Sequence, residues 1–389
     1  MFERDGKRVR RAGGVRAACG GLLLLATGSA APAQAPDPRL LPAHPGYARN
    51  AACAPVRIAM PPATHRLPGG APISPRPAEI PVGQGDSAIC FAYATADMIS
   101  QRVGVTVSAL DVATRYYFAD PAGLFRSRDR TLRRYLAANP DLTEEIAESR
   151  NDTEASKERN PLRKPFFDKL EDGQEAAATL LYNLGGLCPD RDLPSFDGYG
   201  QHLRTLGRLR WTSRLAPKMS WRSLGGTVDR LRDPATDAFN AGWIAHVERR
   251  CRRLPLPVPL LPVSHGIADN QLDFMERART GDPDLPRGSD RLMAMIDYAL
   301  DHGRVPTIGY SWYLLEDRDP KDPDLHADHA SPVIARRKVG GTCQYRIQDN
   351  TGEYCARMRE GMREACENGR VWVGEGALRR TLYSVTYLR

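Results

Sequence analysis

The run Asp86-Ser87-Ala88-Ile89-Cys90-Phe91-Ala92-Tyr93 opens a mainly apolar segment that continues to Val103, and Gly104 follows. Ser87 is a natural N-cap and Gly104 a natural residue just past a helix end. Ile89, Tyr93, Ala96, Ile99 and Val103 recur at helical spacing. The sequence therefore predicts a buried helix over Ala88 to Val103, with Cys90 in its first turn. At that position the helix dipole favours a thiolate. Gln84 lies six residues before Cys90, across a glycine-containing turn.

The surrounding composition sets limits. A chain of 389 residues corresponds to about two domains or one large one. Hydrophobic residues make up 41% and charged residues 26%, which permits a packed core and excludes wholesale disorder. One long apolar run occurs, near the N-terminus, and it is too short to span a bilayer, so a multi-pass membrane protein is excluded. Net charge is +8, but residues 1–35 carry six basic and two acidic side chains, half of that excess. What remains is too mild for a nucleic-acid partner.

The first residues read as an export signal. Lys7, Arg8, Arg10, Arg11 and Arg16 form a basic region, Ala17 to Ala26 is apolar, and small residues from Gly28 to Ala35 follow. Cleavage is expected after Ala30 or Ala33. A retained anchor is the competing reading, disfavoured by the short apolar run. The cysteines agree with export to an oxidising compartment. Of the eight, Cys19 leaves with the leader. Cys53, Cys90, Cys188, Cys251, Cys343, Cys355 and Cys366 remain, which suggests three bridges and one free thiol with pairing undetermined. Cys90 is the plausible odd one. No zinc-type cysteine spacing occurs, and His326-Ala327-Asp328-His329 lacks a third spaced ligand, so no metal or other cofactor is expected.

Along the chain, residues 36–80 hold 11 prolines in 45 positions and read as an extended arm. Residues 125–172 read as charge-rich surface pieces of helix. Gln174 to Asn183 reads as a helix ended by Gly185-Gly186. Residues 204–222 carry six basic side chains and no acid, read as a solvated face. The prolines between Leu254 and Val263 suggest a stiff connector. Ser289 to His302 reads as an amphipathic helix with Leu292, Ile296 and Ala299 inward. Val305 to Tyr313 and Ser331 to Val339 read as strands. Val339-Gly340-Gly341-Thr342 reads as a hairpin turn into Gln344 to Gln348.

These pieces resemble the papain-like cysteine peptidases. The family's nucleophile segment, Q-G-x-C-G-S-C-W-A-F, is matched by Gln84-Gly85-Asp86-Ser87-Ala88-Ile89-Cys90-Phe91-Ala92-Tyr93 with the Gln-to-Cys spacing kept. The family's histidine segment is matched by Asp328-His329-Ala330. Its asparagine segment is matched by Tyr345-Arg346-Ile347-Gln348-Asp349-Asn350-Thr351. Gly185-Gly186-Leu187 resembles the stretch that pairs with substrate backbone, and the order Cys, His, Asn is the family's. Ser87 stands where the family has a cysteine and Phe91 where it has a tryptophan. No tryptophan stands just after Asn350, in Thr351-Gly352-Glu353-Tyr354, so the family's indole cover over the histidine is missing there. Cys90 and His329 are 239 residues apart, against about 130–150 in the family, which implies large inserts.

The resemblance implies an α+β fold of two lobes: a helical left lobe carrying Cys90 and an antiparallel β-barrel-like right lobe carrying His329 and Asn350. It implies a signal peptide at 1–30, a Pro-rich arm at 31–78 and a peptidase domain at 79–389 with inserts at about 120–172 and 200–288. Cys90 would be the nucleophile, His329 the base, Asn350 its orienter, and Gln84 an oxyanion donor. Asp349 is a rival orienter, the tyrosine spacing favouring Asn350. Gly185, Gly186 and Asp328 would contact substrate. A secreted or periplasmic monomer acting on protein or peptide substrate is expected. The competing readings are an inactive papain-like binding module and a Cys-dependent, transglutaminase-like acyl transferase.

Overall fold

The structure is a computed structural model. It describes residues 49–50, 52–61, 90–120, 122–140, 142, 146, 174–195, 234–266, 289–316, 328–349, 355, 358–367 and 369–389. The chain divides into two units, Met1–Asp37 and Pro38–Arg389, and every described residue belongs to the second. The elements in chain order are β1 (Val56–Arg57), α1 (Cys90–Val103), α2 (Ala109–Phe118), α3 (Ala122–Phe125), α4 (Arg130–Ala137), α5 (Glu175–Tyr182) and α6 (Pro234–Arg250). There follow β2 (Pro262–Gly266), α7 (Ser289–Asp301), β3 (Thr307–Ser311), a 3-10 turn (Trp312–Leu314), β4 (Asp328–Val339) and β5 (Thr342–Gln348). The chain closes with α8 (Glu360–Arg363), β6 (Arg370–Gly374), α9 (Glu375–Thr381) and β7 (Leu382–Leu388).

The architecture is α+β. The strands run β2-β7-β3-β4-β5-β6 with β1 joined to β4, and all pairings are antiparallel. The expected barrel-like closure is not observed. Among the described residues the sheet is open, with β2 and β6 at its ends. The β4–β5 hairpin turns on Gly340 and Gly341, at φ +55° and +82°. Two consecutive positive φ values are what a two-residue hairpin of the right twist requires, and glycine takes them without a Cβ clash.

α1 is buried on almost every side. Phe91, Ala92, Tyr93, Ala94, Thr95, Ala96, Met98, Ile99 and Ser100 are all inside. Such a helix has no solvent face and belongs in a core. Its alanines let α2, α5 and β4 approach closely, and residues of α2, α5, α6, Ala330 and Leu388 share its cluster. A second cluster joins α7 to the sheet through Leu292, Ile296 and Ala299 on one side and Ile308, Val333, Tyr345, Ile347 and Val385 on the other. Burying each of the larger side chains stabilises the fold by about 1.5–3 kcal/mol.

Two segments differ from their sequence reading. Pro262–Gly266, read as the end of a connector, forms edge strand β2 against β7. In the Pro-rich arm, Val56 and Arg57 pair with Arg336 and Ala335 of β4. β4 is 12 residues long. β3 covers the first part of one edge and β1 a later part. The arm is anchored by the Cys53–Cys343 disulfide and by buried polar contacts. Arg336 donates to Asp297 at 2.7 Å and to the Ala54 carbonyl at 3.0 Å, and it pairs with Asp301. Asp297 also accepts from the Tyr345 hydroxyl and the Asn50 N–H. A buried guanidinium is tolerated only when its donors are met in this way.

Candidate active site

Cys90 is the first residue of α1. Among the described residues it is the free cysteine. The other six are bridged as Cys53–Cys343, Cys188–Cys251 and Cys355–Cys366. The first backbone N–H groups of a helix have no partner inside it, and no acidic residue in the first turn of α1 competes for them.

His329 is the second residue of β4 and is buried. Its Nε2 lies 2.9 Å from Asp349 Oδ1. Its Nδ1 is buried with no partner at hydrogen-bonding geometry. Cys90 nonetheless favours the charged form of the ring. Contacts of this kind are often long before a ligand binds. Burial pulls the imidazole pKa down, but hydrogen bonds to Asp349 and Cys90, with their charges, raise it from 6.5 to about 9. The ring therefore keeps both protons at neutral pH, and each nitrogen is a donor. Nε2 donates to Asp349.

Asp349 follows β5 directly and is buried. Its backbone N–H donates to the Gly369 carbonyl at 2.8 Å, which fixes the residue after the strand ends. Val333 pairs with Ile347. Continuing that register by two residues brings Asp349 opposite Ser331, on the face that carries His329. Gln348, of opposite parity, donates to Asp97 of α1 at 2.7 Å and accepts from Arg370 at 3.0 Å. That chain of bonds ties the end of β5 to the helix that begins with Cys90.

The ring is enclosed by aromatic side chains. Trp312 stacks on His329 with centroids 3.7 Å apart and planes 21° apart. Tyr310, opposite His329 in the β3–β4 ladder, meets it edge-on at 5.4 Å. Its hydroxyl is 3.0 Å from Ser331 Oγ. An indole thus covers the ring from the turn after β3. The sequence reading looked for it only after Asn350. The available signal was the β3–β4 pairing, since Trp312 lies two residues past Tyr310.

Asn350 and Gln84 lie outside the described residues, as do Ser87 and the basic stretch 204–222. Asp328 opens β4 opposite Ser311. Phe91 packs among Tyr116 and Tyr117. Gly185 and Gly186 follow α5, and each has a packing reason to lack a side chain. A Cβ on Gly185 would fall 2.1 Å from the Arg115 guanidinium, and one on Gly186 2.5 Å from the Leu254 carbonyl. Leu187 is already paired, its N–H and C=O bonding to Leu254.

Among the described residues, Asp111, Cys188 and Cys251 have ligand atoms close enough to hold a metal ion. The two sulfurs are joined to each other, and Asp111 is engaged by Arg115 and Arg253. Among the described residues no helix is long and apolar enough to cross a membrane.

No family model and no curated protein matches the chain. Among solved structures, the crystal structure of PepW from Lactobacillus rhamnosis HN001 is similar. It has a TM-score of 0.37 and 12% identity, over 85% of this chain and 81% of that one. A TM-score this low assigns no residue a role.

Proposed function

We propose that this protein is an exported cysteine peptidase that hydrolyses peptide bonds with Cys90 as nucleophile and His329 as its acid–base partner. The observation that carries this reading is the convergence on one buried imidazole. Asp349 stands on one nitrogen, the free thiol at the head of α1 acts from the other side, and Trp312 covers the ring. The buried Nδ1 of His329 makes no hydrogen bond of normal geometry, which leaves it open to a reacting group. Three disulfides support an oxidising compartment.

The chemistry follows from the groups. With His329 holding the proton, Cys90 is a thiolate and attacks an amide carbonyl. The developing oxyanion lies at the N-terminus of α1, where the Cys90 N–H and the Gln84 side chain are the proposed donors. His329 then passes its Nδ1 proton to the leaving amine, and the C–N bond breaks. Water attacks the thioester, His329 takes a proton from it, and the acid product leaves. Asp349 holds the ring in register and favours its charged form. The family's asparagine role, assigned to Asn350 from the resemblance, passes to Asp349 in this proposal.

The aspartate supports a second reading, a Cys-dependent acyl transferase, in which an amine replaces water at the thioester. Incubation of the secreted protein with a peptide library, with and without a primary amine, separates the two. New peptide termini that vanish in Cys90→Ala and in His329→Ala support a peptidase. Amine incorporation without new termini supports the transferase. Neither product from folded protein would sink both.

A further inference from the structure

We propose that Arg359 is a positioning residue for His329, acting through the turn that carries Trp312; the proposal rests on His329 being the acid–base group of the site.

Trp312 sits where a strand ends and a single 3-10 turn begins. Inside that turn, the N–H groups of Leu315 and Glu316 both donate to the Trp312 carbonyl, at 3.0 Å each. A turn this short makes few carbonyl bonds within itself. One guanidinium takes up two of them. Arg359 Nη2 donates to the Tyr313 carbonyl and, at 3.2 Å, to the Glu316 carbonyl. Its backbone N–H donates to the Leu315 carbonyl at 2.8 Å. Arg359 thus grips Tyr313, Leu315 and Glu316, the positions on either side of Leu314 in the turn that begins with Trp312.

The segment that carries Arg359 is itself fixed. Met358 is buried in the same cluster as Leu314 and Leu315 and bridges Glu316. Cys355 and Cys366 close the segment 11 residues apart. The same connection leaves the sheet at Asp349 and returns at Arg370, with Asp349 bonded to Gly369. Both the carboxylate and the indole that hold His329 are therefore stabilised from one disulfide-closed connection. Displacing a reacting group by about 1 Å can cost on the order of 10²-fold in rate. Loss of a side chain that touches neither Cys90 nor His329 is then expected to be felt at the ring.

The test reads His329 directly, without substrate. The chain has eight histidines, so selective ¹³C-histidine labelling with a His329→Gln reference identifies its signal. In the full secreted protein the stacked indole moves that signal upfield. Arg359→Met is expected to abolish the upfield shift and to slow labelling of Cys90 by an epoxysuccinyl inhibitor about 10- to 100-fold. Trp312→Leu should do the same, and the double variant should be no worse than either. Arg359→Lys, which keeps a donor for the carbonyls, should recover part of both. Glu364→Gln, an exposed change on the same segment, should leave the His329 signal in place.

An unmoved His329 signal in Arg359→Met, or equal effects from Arg359→Met and Glu364→Gln, overturns the proposal. If Arg359→Met does not accumulate, Arg359→Lys decides: a wild-type spectrum overturns it, and a partial loss supports it. Failure of Cys90 to label in the wild type would count against the peptidase reading alone, since the spectral coupling of Arg359 to His329 is measured independently.

Discussion

Replacing Asp349 by Asn keeps the shape and the acceptor oxygen but removes the charge. His329 is held protonated against its own burial, its pKa raised from 6.5 to about 9. That rise is worth about 3 kcal/mol of preference for the charged ring, supplied by Asp349 and Cys90 together, with the Asp349 hydrogen bond the largest favourable contribution. Removing one charged partner should cost about half of it or more. The His329 pKa then falls by at least about one unit. Because the reaction needs the imidazolium, its rate is full below that pKa and falls as pH rises through it. The alkaline limb of the kcat/KM–pH profile should therefore move down, from near pH 9 to near pH 8 or below. At pH 7 the Asn variant should retain most activity, since its oxygen still accepts from Nε2. Asp349→Ala loses the acceptor as well. A hydrogen bond to a charged group contributes about 1.5–3 kcal/mol, so kcat/KM at pH 7 should drop about 10- to 150-fold. The assay is hydrolysis of a fluorogenic peptide from pH 5 to 10, using whichever substrate the library reveals. An unshifted alkaline limb in Asp349→Asn, together with a shifted one in Asn350→Ala, would refute the assignment and return the orienting role to Asn350.

Other consequences follow from the packing. Arg336→Met leaves Asp297 buried without its guanidinium and should cost about 3–5 kcal/mol in urea unfolding; a loss below about 1 kcal/mol would show that the arm and sheet are not joined there. Gly185→Ala should destabilise the protein by about 1–3 kcal/mol through Arg115, whereas intact stability with reduced turnover would favour a substrate contact at Gly185. His246 is lowered to about 4 by burial and by Arg250 and Arg249. It is neutral in both states above 6.5, so destabilisation should build as pH falls from 6.5 toward 4. In His246→Phe, urea midpoints at pH 7 and pH 5 should lie closer together than in the wild type, and an unchanged gap would remove His246 as a cause.

Much of the scaffold was legible because it is local. α1 shows a helical period closed by Gly104, α7 shows one closed by Gly303, and the β4–β5 turn needs two positive φ values that Gly340-Gly341 supply. The count of three bridges and one thiol follows from parity once Cys19 is set aside, and it singled out Cys90. What escaped is non-local. β1 is two residues in a proline-rich arm and exists because β4 offers an edge and Cys343 a partner. β2 hides behind prolines that also suit an extended connector, and its pairing with β7 spans the sheet. Sheet closure depends on how the end strands meet, which no local period encodes. The inward place of Asp349 was within reach. Cys343, Tyr345 and Ile347 alternate with Gln344, Arg346 and Gln348, and that parity carries Asp349 inward. The five-residue step from Tyr345, taken from the resemblance, favoured Asn350, which lies outside the described residues.

The central claim is that Cys90 is an activated thiol because of His329. Intact and peptide mass spectrometry of the secreted protein, with and without an epoxysuccinyl inhibitor, tests it in wild type and His329→Ala. One adduct per chain on Cys90, lost in His329→Ala, with Cys53, Cys188, Cys251, Cys343, Cys355 and Cys366 all oxidised, is the predicted result. Cys90 found in a disulfide, or left unlabelled in folded protein, would contradict it.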